Sequence, residues 1–202
     1  MALSPTSYAL LGLLALEPGS AYDLVKRVKL DLAHFWPRSE RRLFDEPKRL
    51  AAQGLVDAEE RWSGSRRSTV YRITPAGRAA LEGWMERPST PPAFESEAIL
   101  KVSLGQLATR GQILDTLTQT RRWAEGVLDE GRQIADSMLQ GSADPRRSQL
   151  AALMFDFVFR HAELVADWAE RSAADVQTWA DEGPAPLADP EVFRSALERT
   201  PR

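Results

Sequence analysis

The chain contains no cysteine, which excludes disulfides, thiolate metal sites and cysteine nucleophiles. Its only two histidines, His34 and His161, are too far apart in sequence to match a zinc-binding spacing. Long hydrophobic runs are missing as well. The longest near the N-terminus, "YALLGLLAL" (Tyr8 to Leu16), is too short for a membrane helix and lacks the basic residue and cleavage site of a signal peptide. No Gly-rich phosphate loop, nucleophile elbow or HExxH motif is present. Glu59 and Glu60 are adjacent carboxylates, but on an extended segment neighbours point to opposite faces and cannot share a substrate. These absences lead to the expectation of a soluble, cytoplasmic protein with no catalytic residues, no metal, no cofactor and no membrane contact.

What is present is ordinary for a globular protein: 202 residues, 43% hydrophobic and 27% charged, enough chain for one large domain or two small ones. The charge is uneven. Net charge is −3, yet residues 1–87 carry +3 and residues 88–202 carry −6. A sign change between halves points to separate tasks.

Along the chain, Ser4-Pro5 reads as a cap followed by proline at the first helical position, opening a mostly buried helix through Tyr8, Leu10, Leu11, Leu13 and Leu14. "EPGS" ends it. Ser20 and Asp23 form a capping box for a second helix to about Leu32, with Tyr22, Leu24, Val25 and Val28 facing inward. "FWPR" (Phe35 to Arg38) reads as a turn. Ser39 caps a third helix to about Gln53, ended by Gly54 in the left-handed region, and Pro47 is expected to kink or split it. The period then becomes alternating. Val56, Ala58, Glu60 and Trp62 share one strand face, and Thr69, Tyr71 and Ile73 share a face of the next strand. Thr74-Pro75 opens a fourth helix with Ala80, Leu81 and Trp84 on its apolar side. Three helices, a hairpin and a helix is the order of a winged helix-turn-helix, whose third helix enters the major groove while the hairpin tip reaches phosphates.

That order gives meaning to two basic clusters. Arg66 and Arg67 lie at the small-residue hairpin tip "SGSRRS" with Ser68, and guanidiniums suit phosphate oxygens. Arg41 and Arg42 follow Ser39 in the first turn of the third helix, where base edges are read; pairing with Glu40 or Glu46 is the plain alternative. Lys48 is a further candidate for backbone contact.

After the proline-marked linker "RPSTPP", a helix is expected from about Ala93 to Leu107. Thr109 and Gln112 then box a long helix with Ile113, Leu117, Thr120, Ala124, Val127, Gly131, Ile134 and Met138 on a 3.5-residue seam. Asp144-Pro145 opens a last long helix to about Ala180. Leu150, Leu153, Phe157, His161, Leu164, Trp168 and Trp179 are read as its inner face, and Phe155 and Phe159 lie outside that stripe. Two apolar faces call for two neighbours, one of them a second subunit. Trp123, Phe155, Phe159 and Trp168 are candidate effector-binding residues; plain core is the competing reading. The polar, proline-rich end holds at most a short helix from Pro190 to Arg199.

The segments "LLGLLALEPGSAYDL" (Leu10 to Leu24), "FWPRSERRLFDEPKRLAAQGLV" (Phe35 to Val56) and "VYRITPAGRAAL" (Val70 to Leu81) resemble the PadR-like transcriptional regulators. The helix layout beyond them resembles the virulence-activator subgroup. The resemblance implies a dimeric winged-helix regulator, usually a repressor, that binds operator DNA and often answers to a small molecule. Departures are visible: Arg41-Arg42-Leu43-Phe44-Asp45 stands where many members read Gly-Ser-Leu-Tyr-Pro, so Phe44 has no hydroxyl to donate. Arg67 stands where proline is frequent, and Ser68 where a second basic residue often lies.

The sequence therefore predicts a mainly α protein with a small β-hairpin. It divides into a winged helix-turn-helix (1–87), a linker (88–92), an antiparallel helical dimerisation and effector domain (93–181) and a mobile tail (182–202). The expected partners are double-stranded DNA, a second copy of the chain, and a small aromatic or hydrophobic ligand. The competing function is a winged-helix protein-interaction adaptor.

Overall fold

The computed structural model describes residues 3–63, 66–141, 148–180 and 186–198. The chain divides into two compact units, Met1–Pro92 and Ala93–Arg202.

In the first unit, α1 (Pro5–Leu16) begins at Ser4, whose hydroxyl accepts from the Ser7 amide while the Ser7 hydroxyl accepts from the Ser4 amide. The helix is apolar nearly all round, so it sits at the centre of the unit and buries Leu10, Leu11 and Leu14. Gly19–Ser20 forms a two-residue strand, β1, before α2 (Ala21–Asp31). Ser20 and Asp23 box α2 as expected, and Leu24, Val25 and Val28 are buried. Tyr22 is not: it is exposed, one position off the buried stripe. Next comes α3 (Glu40–Ala52), a single helix that runs through Pro47 without dividing. Pro47 is itself buried, packed with Leu43 and Leu50 on the inner side. Gly54, at φ 70°, ends the helix in the left-handed region that glycine takes without a Cβ clash.

Two long strands follow, β2 (Val56–Ser63) and β3 (Arg66–Ile73), paired antiparallel from Val56↔Ile73 through Ser63↔Arg66. Partners directly opposite share a face, so Val56, Ala58, Glu60 and Trp62 lie with Ile73, Tyr71, Thr69 and Arg67 on one side. Val56, Tyr71 and Ile73 fill the core from that side. β1 pairs with the far edge of β3, giving the order β1-β3-β2. Last in the unit is α4 (Pro75–Met85), capped by Thr74, with Trp84 stacked on Tyr8 at 4.8 Å between centroids.

The second unit opens with α5 (Glu97–Ser103) and a 3₁₀ turn (Gly105–Leu107). The helix starts four residues later than the sequence suggested, because Ser96 caps it by accepting from the Ile99 amide. Two long helices dominate: α6 (Arg110–Leu139) and α7 (Ser148–Gln177). They are antiparallel, since Arg110 at the start of α6 donates to the Trp179 carbonyl (2.7 Å) just past the end of α7. Among the expected seam positions of α6, Ile113, Leu117, Ala124 and Gly131 are buried, Leu128 joins them, and Ile134 is exposed.

On α7 the leucines and Phe157 of the expected inner face turn outward, while its Trp168 and Trp179 stay inward. Ala162, Ala169 and Val176 are buried, and Phe155 and Phe159 lie over Gly131 of α6. Leu150, Leu153, Phe157 and Leu164 are exposed instead. The reason is proximity: Ala124 and Gly131 on α6 leave room for alanines and flat rings, not for a row of leucines. Trp168 and Trp179 pack partly buried against Ile113, Leu117 and Val176. The Asp144-Pro145 start of α7 lies outside the described residues. A short helix, α8 (Pro190–Glu198), follows. Among the described residues no helix is long and apolar enough to cross a membrane.

Candidate nucleic-acid interface

The outward side of α3 is built by the same periodicity that buries Leu43, Pro47 and Leu50. Arg41, Phe44 and Lys48 fall on one exposed stripe at spacings of three and four, and Arg42, Asp45 and Arg49 on the next. Among the described residues neither Arg41 nor Arg42 pairs with a carboxylate, and neither does Lys48. The two glutamates that could have paired with the arginines are engaged elsewhere. Glu40 meets Lys29 of α2. Glu46 is buried, accepts from the Ser7 hydroxyl (2.5 Å) and from Arg49 (2.9 Å), and ties α3 to the capped start of α1. Burying a carboxylate this way requires its partners, so the tie fixes how α3 sits on the unit.

Ser39 is the N-cap residue of α3 but makes no side-chain cap bond and is exposed. The third helical residue is Arg42, whose side chain carries no acceptor to complete a capping box. Before it, the Arg38 guanidinium lies 4.1 Å over the Trp36 ring and donates to the Pro37 carbonyl at 2.7 Å.

On the hairpin, Arg67 and Ser68 occupy opposite faces of β3. Arg67 is exposed and bonded to Glu60, which lies diagonally across on β2 and stabilises its charge. Arg61 and Glu59 form the matching pair on the other face at 2.9 Å. The Gly64–Ser65 tip and the Arg66 side chain lie outside the described residues. Trp62, directly opposite Arg67, is 72% exposed; it is a large aromatic that the sequence reading placed on a strand face without assigning it a site role.

In the second unit the four candidate effector residues are not brought together. Phe155 and Phe159 stack at 5.4 Å beside Gly131, whereas Trp168 belongs to the cluster at the opposite end of α7. Only Trp123, half exposed, lines a cavity of about 570 Å³ between α5, α6 and α7. Phe94 and His161 complete its aromatic wall, their rings 6.1 Å apart edge to face, and Glu95 and Thr120 add polar groups. Sequence reasoning had set His161 aside as core, since nothing in helical spacing shows that Phe94, far off in the chain, meets it. Among the described residues no group of three His, Cys, Asp or Glu side chains is placed to hold a metal.

Residues 10–83 match the model of the transcriptional regulator PadR-like family. A curated relative, the negative transcriptional regulator PadR of Bacillus subtilis (strain 168), is 26% identical over 140 residues, covering 68% of this chain and 76% of the relative. Among solved structures, Bacillus subtilis PadR in complex with operator DNA aligns with a TM-score of 0.71 at 22% identity, covering 84% of this chain and 98% of that one. The same protein in complex with p-coumaric acid gives 0.64 at 22%, over 85% and 98%. The Vibrio cholerae virulence activator AphA gives 0.68 at 20% identity, over 87% and 99%. At these identities the structures share the fold.

Proposed function

We propose, on the match of residues 10–83 to the model of the transcriptional regulator PadR-like family, that this chain is a DNA-binding repressor acting as a homodimer. One observation carries the reading: the solvent side of α3 presents Ser39, Arg41, Arg42 and Lys48, without carboxylate partners among the described residues, on a helix anchored from behind by buried Glu46. A helix of this kind fits the major groove, where arginine bonds bidentately to guanine and lysine to phosphate. The hairpin adds Arg67 and Ser68, with Arg66 alongside in sequence, as backbone contacts.

The dimer is supported by the outward stripe of α7. Leu150, Leu153, Phe157 and Leu164 step by three, four and seven, the seam of a helix that needs a second neighbour. Two-fold symmetry then calls for a palindromic operator.

Full-length protein incubated with a pool of genomic fragments should retain one sequence class, with an affinity that falls steeply as salt rises. Retention of no sequence, together with salt-insensitive binding, would reject the regulator in favour of a protein-interaction adaptor.

The cavity bearing Phe94, Trp123 and His161 supports an effector reading beside this one. Its volume suits a small aromatic molecule, and Bacillus subtilis PadR takes p-coumaric acid. A planar ligand seated there should quench Trp123 fluorescence and weaken DNA binding together; quenching with unchanged DNA affinity would separate the cavity from regulation.

A further inference from the structure

Phe44 is an aromatic side chain on an otherwise charged surface. It is 36% exposed, in the second turn of α3, among Glu40, Arg41, Arg42, Asp45 and Lys48. The inward side of the helix is already filled by Leu43, Pro47 and Leu50. Helical spacing puts Phe44 between Arg41, three residues before, and Lys48, four after. An apolar ring flanked along the helix by two cations that pair with no carboxylate among the described residues would be a poor choice for a surface that meets only water.

The major groove of B-DNA presents a single apolar group, the C5-methyl of thymine; every other feature on the base edges there is a donor or an acceptor. A phenyl ring offers neither. Resting on the DNA-binding reading above, we infer that Phe44 is a specificity-determining residue that reads a thymine methyl group in the operator. Arg41 and Lys48 flank it and hold the ring against the groove. Selectivity comes from the mismatch: cytosine lacks the methyl, and adenine or guanine would leave its acceptors facing the ring without a donor.

The test uses full-length protein and the sequence it selects from a random duplex library. Each thymine in that sequence is replaced in turn by deoxyuridine, which removes only the methyl group. One position per half-site should weaken wild-type binding about fourfold, the effect of losing one buried methyl. Phe44→Ala should bind the thymine and uracil duplexes alike, while Phe44→Leu, which keeps an apolar contact, should retain part of the preference. A wild-type protein indifferent to uracil at every position overturns the inference while leaving the regulator intact. So does a Phe44→Ala variant with the full uracil penalty. A library that yields no enriched sequence refutes the regulator reading, and this inference with it.

Discussion

Replacing Gly77 by alanine puts a methyl group where the backbone already stands. Gly77 is the third residue of α4, and a Cβ there would lie 2.1 Å from the Leu55 carbonyl oxygen and 2.8 Å from Ile73 Cγ1. Contacts below 3.0 Å are not tolerated, so something must move by about 0.9 Å. The Leu55 carbonyl is held in place, because it accepts from the Thr74 amide at 3.1 Å while the Thr74 hydroxyl donates to the Gly54 carbonyl at 2.8 Å. Yielding therefore weakens two hydrogen bonds, each about 0.5–1.5 kcal/mol, and adds overpacking of about 1–3 kcal/mol. The helix gains about 0.5–1 kcal/mol from the Gly→Ala change itself. The net cost is about 1–5.5 kcal/mol. Gly83 supplies the control: it lies in the same helix, and a Cβ there meets nothing within 4 Å. Gly83→Ala should stabilise by about 0.5–1 kcal/mol. Native-state hydrogen exchange on the full chain, followed at the β3 amides of Tyr71 and Ile73, reads both changes in the unit concerned. Gly77→Ala should speed exchange by about 5- to 8,000-fold, and Gly83→Ala should slow it. Equal effects for the two, or an unperturbed Gly77→Ala, would show that the α3–β2 turn yields freely and that the steric argument is wrong.

Three further outcomes follow from the same geometry. Arg41→Ala with Arg42→Ala should reduce binding to the selected sequence far more than to random DNA, by about 1–3 kcal/mol of discrimination; Arg67→Ala should weaken both alike and lower the salt slope by about 0.9. Titrations at two salt concentrations tell these apart, and a loss of sequence preference in the Arg67 variant would reverse the assignment. Leu153→Glu with Phe157→Glu on the exposed stripe of α7 should give a monomer in sedimentation with α6–α7 packing intact, whereas a persistent dimer would place the subunit contact elsewhere. Asp23 is held below the ordinary aspartate range, chiefly by hydrogen bonds from the Ser20 side chain and backbone. Its folded-state value is depressed, so its stabilising effect is present at neutral pH and is lost as pH falls through the acid range. Ser20→Ala should move the Asp23 carboxyl titration, followed by NMR, upward; an unmoved titration would mean that the hydroxyl is not the cause.

The chain's own residues determined much of this protein without reference to tertiary contacts. Ser4-Pro5, Ser20 with Asp23, Thr74-Pro75 and Thr109 with Gln112 each start the helix their chemistry calls for, because capping is satisfied within four residues. Gly54 ends α3 and the alternation of Val56 to Trp62 gives a strand for the same local reason. Exposure of Arg41, Arg42 and Lys48 followed from helical period alone.

Packing decided the rest. Two residues at Gly19–Ser20 carry no periodic signal, and they become a strand only because the edge of β3 is there to pair with them. The period of α7 was legible, but period is symmetric between its two apolar stripes. Which one turns inward depends on the close approach that Ala124 and Gly131 of α6 permit, and that leaves the leucines outside. Glu46 reads as a surface partner for arginine until Ser7, thirty-nine residues earlier, is folded against it. The wall of Phe94, Trp123 and His161 has the same origin, since an aromatic ahead of α5, one on α6 and one on α7 share a cavity only once those helices have packed. Local chemistry acts over a few residues along the chain; burial acts through space, and no spacing in the sequence encodes which distant surfaces will meet.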